Sequence, residues 1–167
     1  MTWRVVPMEE RHIEGYRAVL DSVARERKYL AFLEAPPVEA VTVFVLGNLR
    51  ANRPHFVALD GEEVVGWCDI ASLDRPVFAH AGTLGMGVLA SHRGRGIGRE
   101  LLRAALENAR ETGLTRVELT VREPNARARE LYEKAGFAAE GLKRNAVRVD
   151  GRYENLLVMA ILFHEGR

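Results

Sequence analysis

The chain has a single cysteine, Cys68, in 167 residues. That excludes an internal disulfide framework and a cysteine zinc site. Its neighbours, Gly66-Trp67 and Asp69-Ile70, read as strand, so the thiol is expected as buried filler rather than as a nucleophile. Charge of one sign is missing too: 24 Lys and Arg against 23 Asp and Glu leave a net charge of +1, with the signs interspersed. No broad patch for nucleic acid or a membrane surface follows. No run approaches the roughly 20 apolar residues that span a bilayer. Met1-Thr2-Trp3-Arg4-Val5-Val6-Pro7 has no long apolar stretch of the signal-peptide kind, so a cytoplasmic protein is expected. The histidines His12, His55, His80, His92 and His164 form no H-x-x-x-H or close cysteine or carboxylate pattern, so no metal is expected.

What is present is an ordinary globular composition, 47% hydrophobic and 28% charged. The length suits one domain over residues 1–167, without repeat, low-complexity segment or linker. Trp3 to Val6 reads as a strand stopped by Pro7. Ile13, Tyr16, Val19, Leu20 and Val23 recur at helical spacing within residues 8–24. Pro36-Pro37 opens a second helix, Val38 to Leu49. His55 to Leu59 and Glu63 to Ser72 read as strands joined around Asp60-Gly61. A strand is expected over about 78–89, then a glycine-rich turn and a helix to about Thr112 that Gly113 ends. Val117, Leu119 and Val121 alternate with Glu118, Thr120 and Arg122 on a further strand. A short helix, Ala126 to Ala135, and a final hairpin around Asp150-Gly151 complete a mixed α/β order.

The densest information lies in Arg93-Gly94-Arg95-Gly96-Ile97-Gly98-Arg99, between a strand and a helix. Glycines let backbone approach a ligand, the first helical amides are unpaired, and the helix dipole and arginines favour negative charge. This is a site for a phosphorylated ligand. A dinucleotide fingerprint would need a third glycine where Arg99 stands, although Glu118 lies about 20 residues further on. A Walker loop would need Gly-Lys-Ser/Thr after the glycines, and that tripeptide is missing.

Arg93-x-x-Gly96-x-Gly98 resembles the acetyl-CoA signature of the GNAT acetyltransferases. Asn125 and Leu131-Tyr132-Glu133-Lys134-Ala135-Gly136-Phe137 resemble that family's second hallmark, and the element order is similar over nearly the whole chain. The resemblance implies the GNAT fold: a twisted mixed sheet of about seven strands with about four helices, splayed between the strands at about 78–89 and 115–122. It also implies acetyl-CoA as co-substrate, without metal. Backbone groups of Met86, Gly87 and Val88 would meet the pantetheine arm, and the amides of Arg95 to Arg99 the pyrophosphate. Gly94, Gly96, Ile97 and Gly98 shape that turn, Arg93 and Arg99 add charge, and Asn125 bonds the arm. Gly85 and Gly87 suit close backbone approach, with accommodation of a large neighbouring side chain as the alternative.

Tyr132 occupies the family's general-acid position, to protonate the departing thiolate; packing beside Leu131 and Phe137 is the alternative. The base is open. Ribosomal alanine acetyltransferases of this family carry a glutamate where Thr120 stands, which argues against that subgroup. Glu118 is the candidate base, with Glu123, His80 and Asp69 as others. The acceptor site would draw on Tyr16, Tyr29, Phe32, Glu26, Glu34, Glu39, Arg144, Arg148 and Arg152, which suits an amine of a small molecule or peptide. Direct transfer is the expected reaction; a non-catalytic acyl-CoA sensor on the same fold is the alternative. The run Leu156 to Ile161 suits either a homodimer contact or buried core.

Overall fold

The computed structural model describes residues 2–163. Seven strands form one sheet: β1 (Trp3–Pro7), β2 (His55–Asp60), β3 (Glu63–Ser72), β4 (Ala81–Val88), β5 (Arg116–Arg122), β6 (Ala138–Val149) and β7 (Arg152–Leu162). Four α-helices connect them: α1 (Ile13–Arg25), α2 (Val38–Arg50), α3 (Ile97–Glu111) and α4 (Ala126–Ala135). The strand order is β1-β2-β3-β4-β5-β7-β6. Every neighbouring pair is antiparallel except β4 and β5.

That one parallel pair matters most. Its ladder holds only Ala81–Arg116, Gly82–Val117 and Thr83–Glu118. Past Thr83 the two strands part, while β4 continues against β3 as far as Gly66–Val88. The sheet is therefore the expected splayed GNAT sheet.

Alternation along the strands builds a core on each face. Val65, Cys68 and Ile70 pack with Leu101, Leu102 and Ala105 of α3. Val57, Leu59 and Trp67 pack with Tyr16, Val19 and Val41 on the side of α1 and α2. Three sequence expectations shift. The strand expected from residue 78 begins at Ala81, because Pro76 starts a 3-10 turn, Pro76–Phe78. The first helix begins at Ile13, after a separate 3-10 turn. The Leu156–Ile161 run lies in β7, whose edges are taken by β5 and β6, so it offers no free edge to a second copy. No helix among the described residues is long and apolar enough to cross a membrane.

Candidate active site

A cavity of about 840 Å³ occupies the gap between β4 and β5. One end is the glycine-arginine turn. Gly94 and Gly96 have φ of +80° and +86°, left-handed values that glycine adopts without a Cβ penalty. Gly96 is the N-cap of α3, and the first helical hydrogen bond runs from the Glu100 amide to the Gly96 carbonyl, 3.1 Å. The amides of Ile97, Gly98 and Arg99 therefore have no carbonyl in their own helix to reach. Arg99 lines the cavity, and so does Arg127. Arg127 stands in the first turn of α4, where the dipole disfavours a cation, and a Cβ at Gly94 would lie 3.3 Å from its guanidinium.

The open edge of β4 presents Met86, Gly87 and Val88 to the cavity. Gly87 accommodates a large neighbour: a Cβ there would lie 2.6 Å from the Trp67 ring. The Val88 carbonyl already accepts from Arg93 Nε at 2.9 Å. Across the gap, Asn125 caps α4, its Oδ1 accepting from the Ala128 amide at 3.2 Å. That bond leaves its amide nitrogen as the group to donate. Tyr132, one helical face further along α4, packs at 5.7 Å between ring centroids against Phe137. Burial, the largest cause, pushes its phenol well above the ordinary range.

The other end of the cavity lies toward α1 and α2. Tyr16, Trp67 and Asp69 line it, with Tyr29 and Phe32 from the connection between those helices. Residues 26–37 of that connection are stitched down from several sides. Arg122, 4% exposed, donates to the carbonyls of Arg27 at 2.9 Å and Leu30 at 2.6 Å. Arg27 pairs with Asp150 of the β6–β7 turn, and Arg17 donates to the Pro36 carbonyl at 2.9 Å. Glu26 receives both guanidinium nitrogens of Arg93, which also stacks over Tyr29 at 5.0 Å. Asp69 is 6% exposed. Burial raises its carboxyl to about 7, against a hydrogen bond from Trp67 that lowers it.

The cavity thus brings together Met86, Gly87, Val88, Arg93, Gly94, Gly96, Ile97, Gly98, Arg99, Asn125 and Tyr132. Arg95 sits outside, donating to the Ser91 carbonyl at 3.3 Å. Glu118 also lies outside the cavity, because it is spent on Arg116 at 2.7 Å, within a cluster that includes Glu140. The same row of β5 offers Thr120 instead. Arg93 is already neutralised by Glu26, so its charge serves the roof of the cavity as much as the turn. Arg144, Arg148 and Arg152 do not line the cavity, and Glu34 pairs with Arg25. His92, next to the turn, bonds Asp60 at 2.9 Å. Cys68 is fully buried, and burial raises its thiol well above the ordinary range. Arg127 is not among the residues expected from the sequence; the local signal for it was a cation in the first turn of a helix, where the dipole disfavours one.

A splayed mixed sheet with a glycine-arginine turn at the mouth of the gap is the architecture of an acyltransferase. Residues 17–137 match the model of the acetyltransferase (GNAT) family, and the chain belongs to that family of N-acetyltransferases. The N-alpha-acetyltransferase RimI of Mycobacterium tuberculosis is 42% identical over 106 residues, 62% of this chain and 65% of that protein. The L-amino acid N-acetyltransferase AaaT of Escherichia coli is 29% identical over 154 residues, 90% of this chain and 94% of that one. A phosphinothricin acetyltransferase from Sinorhizobium meliloti, solved in complex with acetyl-CoA, superposes with a TM-score of 0.92 at 17% identity, over 99% of this chain and 91% of that one. At that identity the likeness establishes the fold.

Proposed function

We propose that this protein transfers the acetyl group of acetyl-CoA directly to a primary amine of a small molecule or peptide, with both substrates bound at once. The observation that carries this reading is one cavity crossing the sheet at the β4–β5 gap, with an anion turn at one end and an apolar chamber at the other. Donor and acceptor can then meet from opposite sides. The relatives named above are acetyltransferases of amino groups, which supports an amine as acceptor.

The chain's own residues divide the work by position. The amides of Ile97, Gly98 and Arg99 bind pyrophosphate oxygens, with Arg99 and Arg127 adding positive charge. The exposed backbone of Met86 and Gly87 extends the ladder of β4 to the amide arm, and the Asn125 amide donates from the facing side. Arg93 acts as a strut, tying the end of β4 to Glu26. Tyr132 is the general acid: burial keeps its phenol protonated wherever a thiolate of pKa near 8.5 could form, so a proton is in place as sulfur leaves. The Cys68 thiol, buried and held protonated, supports direct transfer rather than a covalent acetyl-enzyme on that residue.

The test is a thiol-release screen with acetyl-CoA against amines, amino acids, polyamines, aminoglycosides and peptides, beside calorimetry of acetyl-CoA binding. Acceptor-dependent thiol release is the expected result. Binding of acetyl-CoA without release on any acceptor would establish the sensor reading instead.

A further inference from the structure

We infer that Asp69 is the catalytic base toward the acceptor amine, and that the chamber around it takes an amine on an apolar body in preference to an amino acid with a free carboxylate. This rests on the amine transfer proposed above.

The placement follows from register. His55, Asp69 and Gly85 form one cross-strand row through β2, β3 and β4. Gly85 has no side chain, and a Cβ there would lie 3.5 Å from Asp69 Oδ1. The carboxylate therefore faces bare backbone just before Met86, at the stretch of β4 that β5 no longer covers. Among the described residues, Asp69 is the only carboxylate lining the cavity. It approaches from the α1–α2 face, as Trp67 does two residues earlier. Tyr132 belongs to the core on the α3 face. Base and acid thus flank the gap from opposite sides, as an attacking nitrogen and a departing sulfur require.

The chamber's other walls are Tyr16, Leu20, Val23, Tyr29, Phe44 and Trp67. Of the arginines lining the cavity, the two that reach the α1–α2 connection are engaged, Arg122 by carbonyls and Arg93 by Glu26. Neither is left to clamp a substrate carboxylate bidentately. The acidic group offered to a ligand here is Asp69, which suits an ammonium with apolar bulk behind it.

Proton balance is complete with these groups. The bound ammonium gives one proton to the Asp69 carboxylate, and the freed lone pair forms the C–N bond to the thioester carbonyl carbon. The C–S bond breaks, sulfur leaves with its electron pair and takes the Tyr132 proton. The second nitrogen proton restores Tyr132, and Asp69 returns its own to water.

Of the titratable groups around Asp69, Tyr16 from α1 and Cys68 on β3 are pushed upward by burial and by the Asp69 charge. His55, opposite on β2, is pushed down to about 4 by burial. Arg93, Arg122 and His92 line the same cavity, each bonded elsewhere. Asp69, raised to about 7, is divided between carboxylate and acid near neutral pH, so it can take a proton and release it again.

The experiment measures thiol release between pH 5 and 9 with phenethylamine and 3-methylbutylamine, with phenylalanine and leucine as carboxylate-bearing matches, and with spermidine. Wild type, Asp69→Asn and Asp69→Ala are compared, with calorimetry of acetyl-CoA binding for each. Wild type is expected to favour the two apolar amines, with an acid limb in kcat/KM. Asp69→Asn should lower kcat about 10²-fold or more and erase that limb, with acetyl-CoA affinity nearly unchanged. Formate should restore part of the Asp69→Ala activity, which a merely structural carboxylate would not allow; Asp69→Ala thus serves if the asparagine variant does not fold. Unchanged kcat and pH limb in Asp69→Asn would overturn the base while transfer stands. Preference for the amino acids or spermidine would overturn the acceptor class. A wild type that binds acetyl-CoA but acetylates nothing would overturn the transferase reading, and this inference with it.

Discussion

The two ends of the cavity are built in opposite ways. The turn end is one run of consecutive residues that offers its backbone, with left-handed glycines and helical amides left without a carbonyl in their own helix. The end proposed for the acceptor is assembled from α1, α2, the connection between them, β3 and β5, and it presents side chains held by one another. A backbone device fails through its dihedral angles. A side-chain device fails through its partners, and by smaller steps.

The sharpest break of that contrast is Gly96→Val. A β-branched residue at φ +86° costs up to about 3 kcal/mol, or roughly 10²-fold in affinity if binding demands this backbone. Nothing lies within 4 Å of a Cβ at Gly96, so the fold has room for the side chain. Calorimetry should find acetyl-CoA binding lost in a folded protein; retained affinity would remove the turn from the donor site.

Next comes Tyr132→Phe, which keeps the ring against Phe137 and removes only the hydroxyl. Turnover should fall by about 10²-fold with acetyl-CoA affinity nearly intact. Equal turnover on the best acceptor would leave Tyr132 a packing residue.

Glu26→Gln tests whether the two ends are tied together. It removes the negative charge from a partly buried ion pair in which Arg93 is held bidentately. Removing one partner should raise the acceptor KM severalfold, at a stability cost of about 1 kcal/mol for this partly buried pair. The freed Arg93 should tighten acetyl-CoA modestly. An unchanged acceptor KM would mean that the roof stands on Arg122 and Asp150 without the turn's help.

The same contrast decides what could be read from the sequence. Helical spacing, Asp60-Gly61, Gly113 and Gly136 marked the elements because each acts locally, through periodicity or a left-handed φ. The turn was legible for that reason. The sequence put Glu118 ahead of Asp69 as the candidate base, although both sit on strands beside apolar neighbours. What separates them is register: β5 sets Glu118 beside Arg116, while β3 sets Asp69 against a glycine at the edge of the gap. Glu26 as the partner of Arg93 depends on a contact between distant segments that no local pattern reports. The inner position of β7 is likewise a matter of strand order, and its apolar run alone was compatible with an exposed edge.

The smallest expected wild-type signal is the net pH slope of two neighbours that mask each other. Asp69, about 7 in the folded chain against an ordinary 3.8, holds a proton there that the unfolded chain has lost, so its contribution to stability falls as pH rises from about 4 to 7. His55, about 4 against an ordinary 6.5, lacks a proton there that the unfolded chain holds, so its contribution rises from about pH 4 to 6.5. They are paired across β2 and β3, and their slopes oppose. Urea midpoints at constant m should therefore show little net slope from this pair in the wild type. Asp69→Asn should add an upward slope across that window relative to wild type, and His55→Gln a downward one, because each variant leaves the other group unopposed. Surface carboxylates held low by arginine, such as Glu140 and Asp150, are common to all three proteins and cancel in the differences. Parallel curves for wild type and Asp69→Asn would mean that the carboxylate titrates at its ordinary value, and a base at the acceptor end would then have to work without the help of burial.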